Sequence, residues 1–346
     1  MKTPSISIVT PTLNAAAVLG QYARAIVAQD YPRTKLEVII ADGGSTDATL
    51  LLALALFKGT GIRLKTLPNP LKTGEAGKAV GLKAAKNELV LFLDSDNILV
   101  GKNWLKRMIE PFSDPTIVGA EAWQFVARPS DSAITRYTGF LGMSDPLSYF
   151  LGNYDHLSVL SSKISGLPLA ITDHGRYLSF PIDPKALPTI GANGALFRRS
   201  LFRGFRDNYL FDIDVLYEKI NHNHRKKLYY AKVKVGLVHL FSGNFWGFIR
   251  KQYRRVADYH YFADQGKRSY PWSQHAKRGL VKFLLASVTV VPIAAQTMKG
   301  AIRSRDWAFL YHFPACYATL IVYMFGMVKS KIAPAQASRA NWKQTR

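Results

Sequence analysis

The chain has 346 residues, 48% of them hydrophobic, and carries 46 Lys+Arg against 23 Asp+Glu, a formal charge of +23. That much apolar material excludes an intrinsically disordered chain, and the single Cys316 excludes a disulfide scaffold or a cysteine-based zinc site. Residues 1–210 hold 23 basic and 17 acidic side chains and residues 211–346 hold 23 and 6, so the basic character belongs to the C-terminal part and suits an anionic partner.

The run ISIVT at 6–10, closed by Pro11, reads as a buried strand, and a helix over 16–28 follows. Lys2 precedes only a short apolar run broken by Pro11, Thr12 and Asn14, which does not fit a secretory leader, so the N-terminal domain is expected in the cytoplasm. LEVIIA at 36–41 is a second strand that ends in Asp42-Gly43-Gly44-Ser45, with a helix over 46–57. Residues 62–67 read as a third strand, 77–87 as a helix and LVLFL at 89–93 as a fourth strand, ending in Asp94-Ser95-Asp96. Apolar strands alternating with helices predict an α/β fold with a mostly parallel sheet covered on both faces. In such sheets ligands sit at the carboxyl ends of the strands, where Thr12, Asn14, Asp42, Asp94 and Asp96 all fall.

Residues 137–190, rich in aromatic, Gly, Pro and Ser residues, read as an irregular acceptor-side insertion. A turn at 191–194 precedes a strand and short helix over 195–203, a helix over 212–221 and strands over 228–240. Residues 246–262 (WGFIRKQYRRVADYHYF) read as a basic, aromatic helix. The boundaries implied are a domain over 1–240, interface helices over 241–278, an apolar helical hairpin over 279–330 and a polar tail over 331–346.

Asp94-Ser95-Asp96 is the most informative cluster. Two carboxylates one residue apart on a turn can share a hard divalent cation, Mg²⁺ or Mn²⁺, together with a diphosphate, and such a cation neutralises charge growing on a leaving diphosphate. A solvated turn is the plain alternative, weakened by the apolar strand immediately before it. No G-x-G-x-x-G follows the first strand, which removes the common dinucleotide-binding reading.

The ordered set ISIVTPTLN (6–14), VIIADGGSTDAT (38–49), GKAVGLKAAKNELVLFLDSDN (77–97) and GANGALFRRSLF (191–202) resembles the inverting family 2 glycosyltransferases of the GT-A fold, over roughly residues 5–260. The resemblance implies that Pro11 and Thr12 line a nucleotide pocket and that Asp42 bonds the base. It implies that Asp94, Ser95 and Asp96 meet the ribose and the metal-diphosphate. For Asp42 and Asn14 a capping role is the alternative, and for Lys78, a candidate nucleotide or diphosphate contact, a solvated helix face. The family's acidic pair, which supplies the general base, falls on Phe211-Asp212-Ile213-Asp214, where one position is apolar; Asp214 is favoured as base and Asp212 is second, against both being helix-start carboxylates. Asn193 and Gly194 are placed on the acceptor or diphosphate side. His239 is a candidate metal or diphosphate contact, with a structural histidine as the alternative. Gln252, Arg254 and Arg255 resemble the family's Gln-x-x-Arg element, although Val256 stands where Trp is usual; the same basic helix suits lipid headgroups or plain solvent.

The implied function is a metal-assisted transfer of sugar from a nucleotide-sugar, UDP favoured, to a lipid-linked or cell-surface glycan acceptor. It is expected at the cytoplasmic face of the membrane, against an anionic surface. Residues 307–328 carry no charge, and at about 1.5 Å per residue they reach roughly 33 Å, enough to cross a bilayer. Residues 283–298 are also uncharged but shorter and broken by Pro292. Two spans would put Lys299, Arg303 and Arg305 outside, against the positive-inside tendency; an interfacial or re-entrant hairpin keeps all basic flanks on one side, and a soluble hairpin is a third reading. A glycan-binding pseudoenzyme is the competing function. A nucleic-acid-binding role lacks any accompanying helix-turn-helix, RNP-like or zinc signature, so no specific nucleic acid is expected.

Overall fold

The computed structural model describes residues 3–191, 193–221, 227–270 and 272–332. In chain order the elements are β1 (Ile6–Thr12), α1 (Ala16–Val27), β2 (Leu36–Asp42), α2 (Thr49–Phe57), β3 (Arg63–Pro68), α3 (Gly74–Ala84), β4 (Leu89–Phe92), β5 (Asn97–Leu99), α4 (Trp104–Ile109) and β6 (Ile117–Phe125). There follow α5 (Ala133–Leu141), α6 (Leu147–Leu151), β7 (Thr172–Asp173), β8 (Tyr177–Pro181), β9 (Ala195–Arg198), α7 (Asp212–Asn221) and β10 (Tyr229–His239). The last four helices are α8 (Phe245–Asp264), α9 (Trp272–Thr289), α10 (Val291–Ser304) and α11 (His312–Ile332).

The chain divides into two compact units. One comprises Met1–Trp123, Leu169–Ala186 and Ile190–Val238 and holds the sheet; the other comprises Gln124–Pro168, Leu187–Thr189 and His239–Arg346 and is mainly helical. These boundaries differ from the single 1–240 domain with one insertion over 137–190. Residues 124–168 join the helical unit, whereas β7 and β8, from the same expected insertion, pair antiparallel and extend the sheet. The polar tail from 333 onward lies outside the described residues.

In the sheet unit the strand order is β3-β2-β1-β4-β9-β6-β10-β8-β7, with β5 pairing β10. The β3-β2-β1-β4 half is parallel, as its alternation with helices predicts, and β9 turns it antiparallel on both its sides. Every residue of β2 is buried, the mark of a strand covered on both faces. Helix α3 begins at Gly74, three residues earlier than expected, because the Thr73 hydroxyl accepts from the Ala76 amide at 3.2 Å and caps it. Its glycines let it lie directly on β1. A Cβ on Gly81 would stand 2.3 Å from Val9 Cγ1, and one on Gly77 2.6 Å from Pro11 Cβ. Gly81→Ala is therefore expected to cost about 1–3 kcal/mol by overpacking, measurable by denaturant unfolding, although alanine is the better helix former.

In the helical unit, one cluster gathers Tyr137, Leu141, Phe241, Phe248 and Phe309, and another Phe283, Ile293 and Cys316. Helices α8 and α11 run side by side in the same direction. Phe245 lies beside Tyr311 with ring centres 5.6 Å apart, Tyr253 lies beside Phe325 at 6.3 Å, and a Cβ on Gly326 would stand 2.3 Å from Val256 Cγ1. Helix α10 packs antiparallel to α11: Gly300 abuts Phe309, and Gln296 meets His312 at 3.0 Å. The helix Trp307–Ser330, 24 residues, is long and apolar enough to cross a membrane, and α9 and α10 meet at a 92° bend.

Candidate donor-binding and catalytic site

Parallel register brings the first two polar groups together. Thr12 and Asp42 end adjacent strands as direct partners, and the Thr12 hydroxyl donates to Asp42 Oδ1 at 2.8 Å. The Ser45 hydroxyl donates to the same oxygen at 2.6 Å, and the amides of Gly44 and Ser45 donate to Oδ2 at 3.0 and 2.7 Å. A carboxylate accepts about four hydrogen bonds, so Asp42 organises its own turn with its full capacity. A base would bind Asp42 only by exchanging one of these donors. Asp42→Ala is expected to cost roughly 2–4 kcal/mol, read as a fall in thermal stability without ligand.

Asn14 acts likewise. With φ of 52° it sits in the left-handed region, and its Oδ1 accepts from the Thr46 amide at 2.9 Å while its own amide donates to Ser45 Oγ at 2.8 Å. The Ala15 amide donates to Thr49 Oγ1 at 2.8 Å and the Ala16 amide to Asp47 Oδ2 at 3.1 Å. These bonds lash the β1–α1 and β2–α2 loops together and explain why α2 starts only at Thr49. Ser45, Asp47 and Thr49 belong to the quoted GGSTDAT segment, but nothing in its linear pattern assigned them this clamp.

Strand β4 ends with Phe92 opposite Val9, which sets the Asp94-Ser95-Asp96 turn near the level of Pro11. Lys78 is not on a solvated face: its side chain is 7% exposed and its Nζ lies 3.7 Å from Asp94 Oδ1. The glycine contacts that seat α3 on β1 bring it there. Tyr22, buried and bonded to Thr10, has its hydroxyl pushed well above the usual range by burial, with the Asp94 charge adding to the effect. Asn97, fully buried, was not assigned a role from sequence. Its Nδ2 lies 3.2 Å from Asp96 Oδ1 and 2.5 Å from Asn193 Oδ1. Gly194, at φ of 83°, donates its amide to Phe92 O at 2.9 Å, and a Cβ there would stand 2.4 Å from Leu237. Asn193 and Gly194 are thus joined to the Asp94–Asp96 turn through Asn97 and β4.

Asp214 is buried in the first turn of α7, whose approach is fixed by the Leu210 amide donating to Glu75 O at 3.1 Å. The Asp212 side chain lies outside the described residues. Asp94 and Asp96 offer hard oxygen donors on one partly exposed turn, the donor chemistry a Mg²⁺ or Mn²⁺ ion requires.

The remaining candidates lie in the helical unit. His239 packs between Phe125 and Phe241, with ring centres at 5.4 and 5.7 Å. Gln252 is fully buried and donates to Ser144 O at 2.6 Å, and Arg255 donates to Gln252 Oε1 at 2.9 Å and faces Asp145 at 4.0 Å. Tyr323 on α11 donates to the same Asp145 carboxylate. Gln252 and Arg255 thus tie α8 to its neighbours, while Arg250 is exposed and Arg254, one turn on, half-buried. An apolar groove of about 520 Å³ between α8 and α11 is lined by Trp246, Ile249, Phe313, Tyr317, Ile321 and Val322.

Residues 7–164 match the family model described as glycosyl transferase family 2. The matched segment, a little under half of the chain, includes β1 to β6 and the Asp94–Asp96 turn. It is similar to the poly(ribitol-phosphate) β-N-acetylglucosaminyltransferase TarS of Staphylococcus aureus, at 29% identity over 161 residues, 46% of this chain and 25% of TarS. It is also similar to the GalNAc(5)-diNAcBac-PP-undecaprenol β-1,3-glucosyltransferase of Campylobacter jejuni, at 35% identity over 99 residues, 28% of this chain and 31% of that one. The chain spans about a quarter of the length of TarS. Among solved structures, the mannosyltransferase PcManGT from Pyrobaculum calidifontis, in complex with GDP-Man and Mn²⁺, superposes with a TM-score of 0.51 at 18% identity, covering 94% of this chain and 88% of that one, and so shares the fold.

Proposed function

We propose that the protein is an inverting glycosyltransferase that moves a sugar from a nucleotide-sugar to a lipid-linked or surface-glycan acceptor, at the cytoplasmic face of a membrane. The observation that carries this reading is the convergence of Thr12, Asp42, Asp94 and Asp96 at the carboxyl ends of parallel neighbours β1, β2 and β4, with Lys78 of α3 beside Asp94. The names of TarS and of the Campylobacter enzyme support a glycan-type acceptor, and the PcManGT complex supports a nucleotide-sugar donor with a divalent metal. UDP-sugars are the first donors to test and GDP-sugars the second.

Asp94 and Asp96 would hold Mg²⁺ or Mn²⁺, which when bound supplies charge neutralisation to the departing diphosphate. Lys78 adds a fixed positive charge beside Asp94. Asp214 takes the proton from the acceptor hydroxyl as its oxygen forms a bond to the anomeric carbon, and the bond from that carbon to the nucleoside diphosphate breaks on the opposite face. Arg250 and Arg254 suit an acceptor phosphate, and the α8–α11 groove suits the hydrocarbon of a lipid-linked acceptor. Thermal-shift titration with UDP, GDP, dTDP and their sugars, with and without Mn²⁺, tests the donor site. A metal-dependent shift with one nucleotide class is expected; no shift with any of them overturns the reading.

A further inference from the structure

The helical unit exposes apolar side chains in stripes, one on each of its last three helices. On the Trp307–Ser330 helix, Trp307, Leu310, Pro314, Ile321, Phe325 and Val328 recur at intervals of three, four or seven and are all exposed, while His312, Ala315, Cys316 and Thr319 on the opposite face are buried. On α10, exposed Val291, Met298 and Ile302 share one face, with exposed Lys299 and Arg303 at its edge. On α9, Val281, Leu285 and Val288 do the same, Val288 being 80% exposed. Basic residues bracket these faces: Lys277, Arg278 and Lys282 before the bend, Arg305 after it and Lys329 at the far end.

Two features stop these helices from crossing a bilayer. The uncharged legs on either side of the α9–α10 bend, 283–289 and 291–298, each reach only about 10–12 Å, against a hydrocarbon core of about 30 Å. The Trp307–Ser330 helix is long enough, but it lies alongside α8 in the same direction. Level with its middle α8 carries Arg250 and Lys251, which a crossing would draw into hydrocarbon, while Tyr253, bonded to Lys329, sets Arg254 and Arg255 toward its basic end. A helix lying in the membrane plane needs only one apolar face, at about 5–10 Å depth, with cations at its borders.

We propose that the helical unit is a monotopic platform: α9, α10 and the Trp307–Ser330 helix embed their exposed stripes in one leaflet of an anionic bilayer, and no segment crosses it. This deepens the membrane reading above and stands apart from the transferase chemistry, so it survives or fails whatever the nucleotide titration shows. The full chain, expressed in a bacterial host, is given a second cysteine as Arg305→Cys or Ser330→Cys; its native thiol is buried, and the unsubstituted chain serves as the blank. A membrane-impermeant maleimide is applied to intact spheroplasts and to inverted membrane vesicles. Both cysteines are expected to label in the same preparation; labelling of one in spheroplasts and the other in inverted vesicles overturns the proposal. Separately, Val288→Glu alters an exposed stripe position and is expected to lower the bound fraction on vesicles containing phosphatidylserine at least tenfold. Unchanged binding of this variant overturns the proposal as well.

Discussion

Asp96→Ala is expected to lower sugar transfer by about three orders of magnitude and to abolish the Mn²⁺-dependent part of the nucleotide thermal shift, with little change in the stability of the ligand-free protein. Asp96 shares its turn with Asp94, and its Oδ1 lies within bonding distance of the buried Asn97 amide, so losing the carboxylate removes the proposed metal ligand while Asn97 keeps Asn193 as a partner. Asp94→Ala is expected to match it in activity but to differ in stability. It removes a negative charge 3.7 Å from a largely buried ammonium, at a cost of roughly 1–3 kcal/mol. EDTA treatment of the wild type reproduces the activity loss of both variants and the stability change of neither. Full turnover by Asp96→Ala in the presence of Mn²⁺ would remove the metal-diphosphate assignment.

Asp214→Asn is expected to reduce kcat by about 10²- to 10⁴-fold while leaving the nucleotide-dependent thermal shift intact, because a general base acts on the acceptor proton and not on donor binding. Asparagine nearly preserves the volume of a buried side chain, so the folded state is retained. Asp212→Asn serves as the companion variant. If it carries the loss and Asp214→Asn does not, the base moves to Asp212; if neither alters turnover, the chemistry lies outside α7.

The parallel half of the sheet was legible because each of its strands is a short apolar run closed by a polar turn, and because burial on both faces leaves no alternation to misread. The convergence of Thr12, Asp42 and Asp94 followed from the same fact, since parallel strands put all their carboxyl ends on one edge. The clamp of Asn14, Ser45, Asp47 and Thr49 was not legible: its bonds join residues about thirty positions apart, and sequence spacing carries no information on loop-to-loop pairing. By sequence Lys78 suits a solvated helix face as well as the site, because its burial depends on Gly77 and Gly81 admitting β1, a contact that only the folded backbone reveals. The region after β6 divides between the two units in a way that composition does not show. Its two halves have like composition but join different units, β7–β8 extending the sheet and α5–α6 packing among the C-terminal helices.

The contact between Val256 and Gly326 ties the residue at 256 to the seating of the last helix. Val256 stands where the resembling motif usually carries Trp, and its methyl occupies the space that any side chain at 326 would need. The two positions are sterically coupled: a larger residue at 326 demands a smaller one at 256, and a Trp at 256 would demand a differently seated last helix. A protein of this fold with an aromatic residue at the position of Val256 should therefore seat its last helix differently, which makes this pair a gauge of how closely that helix can approach α8.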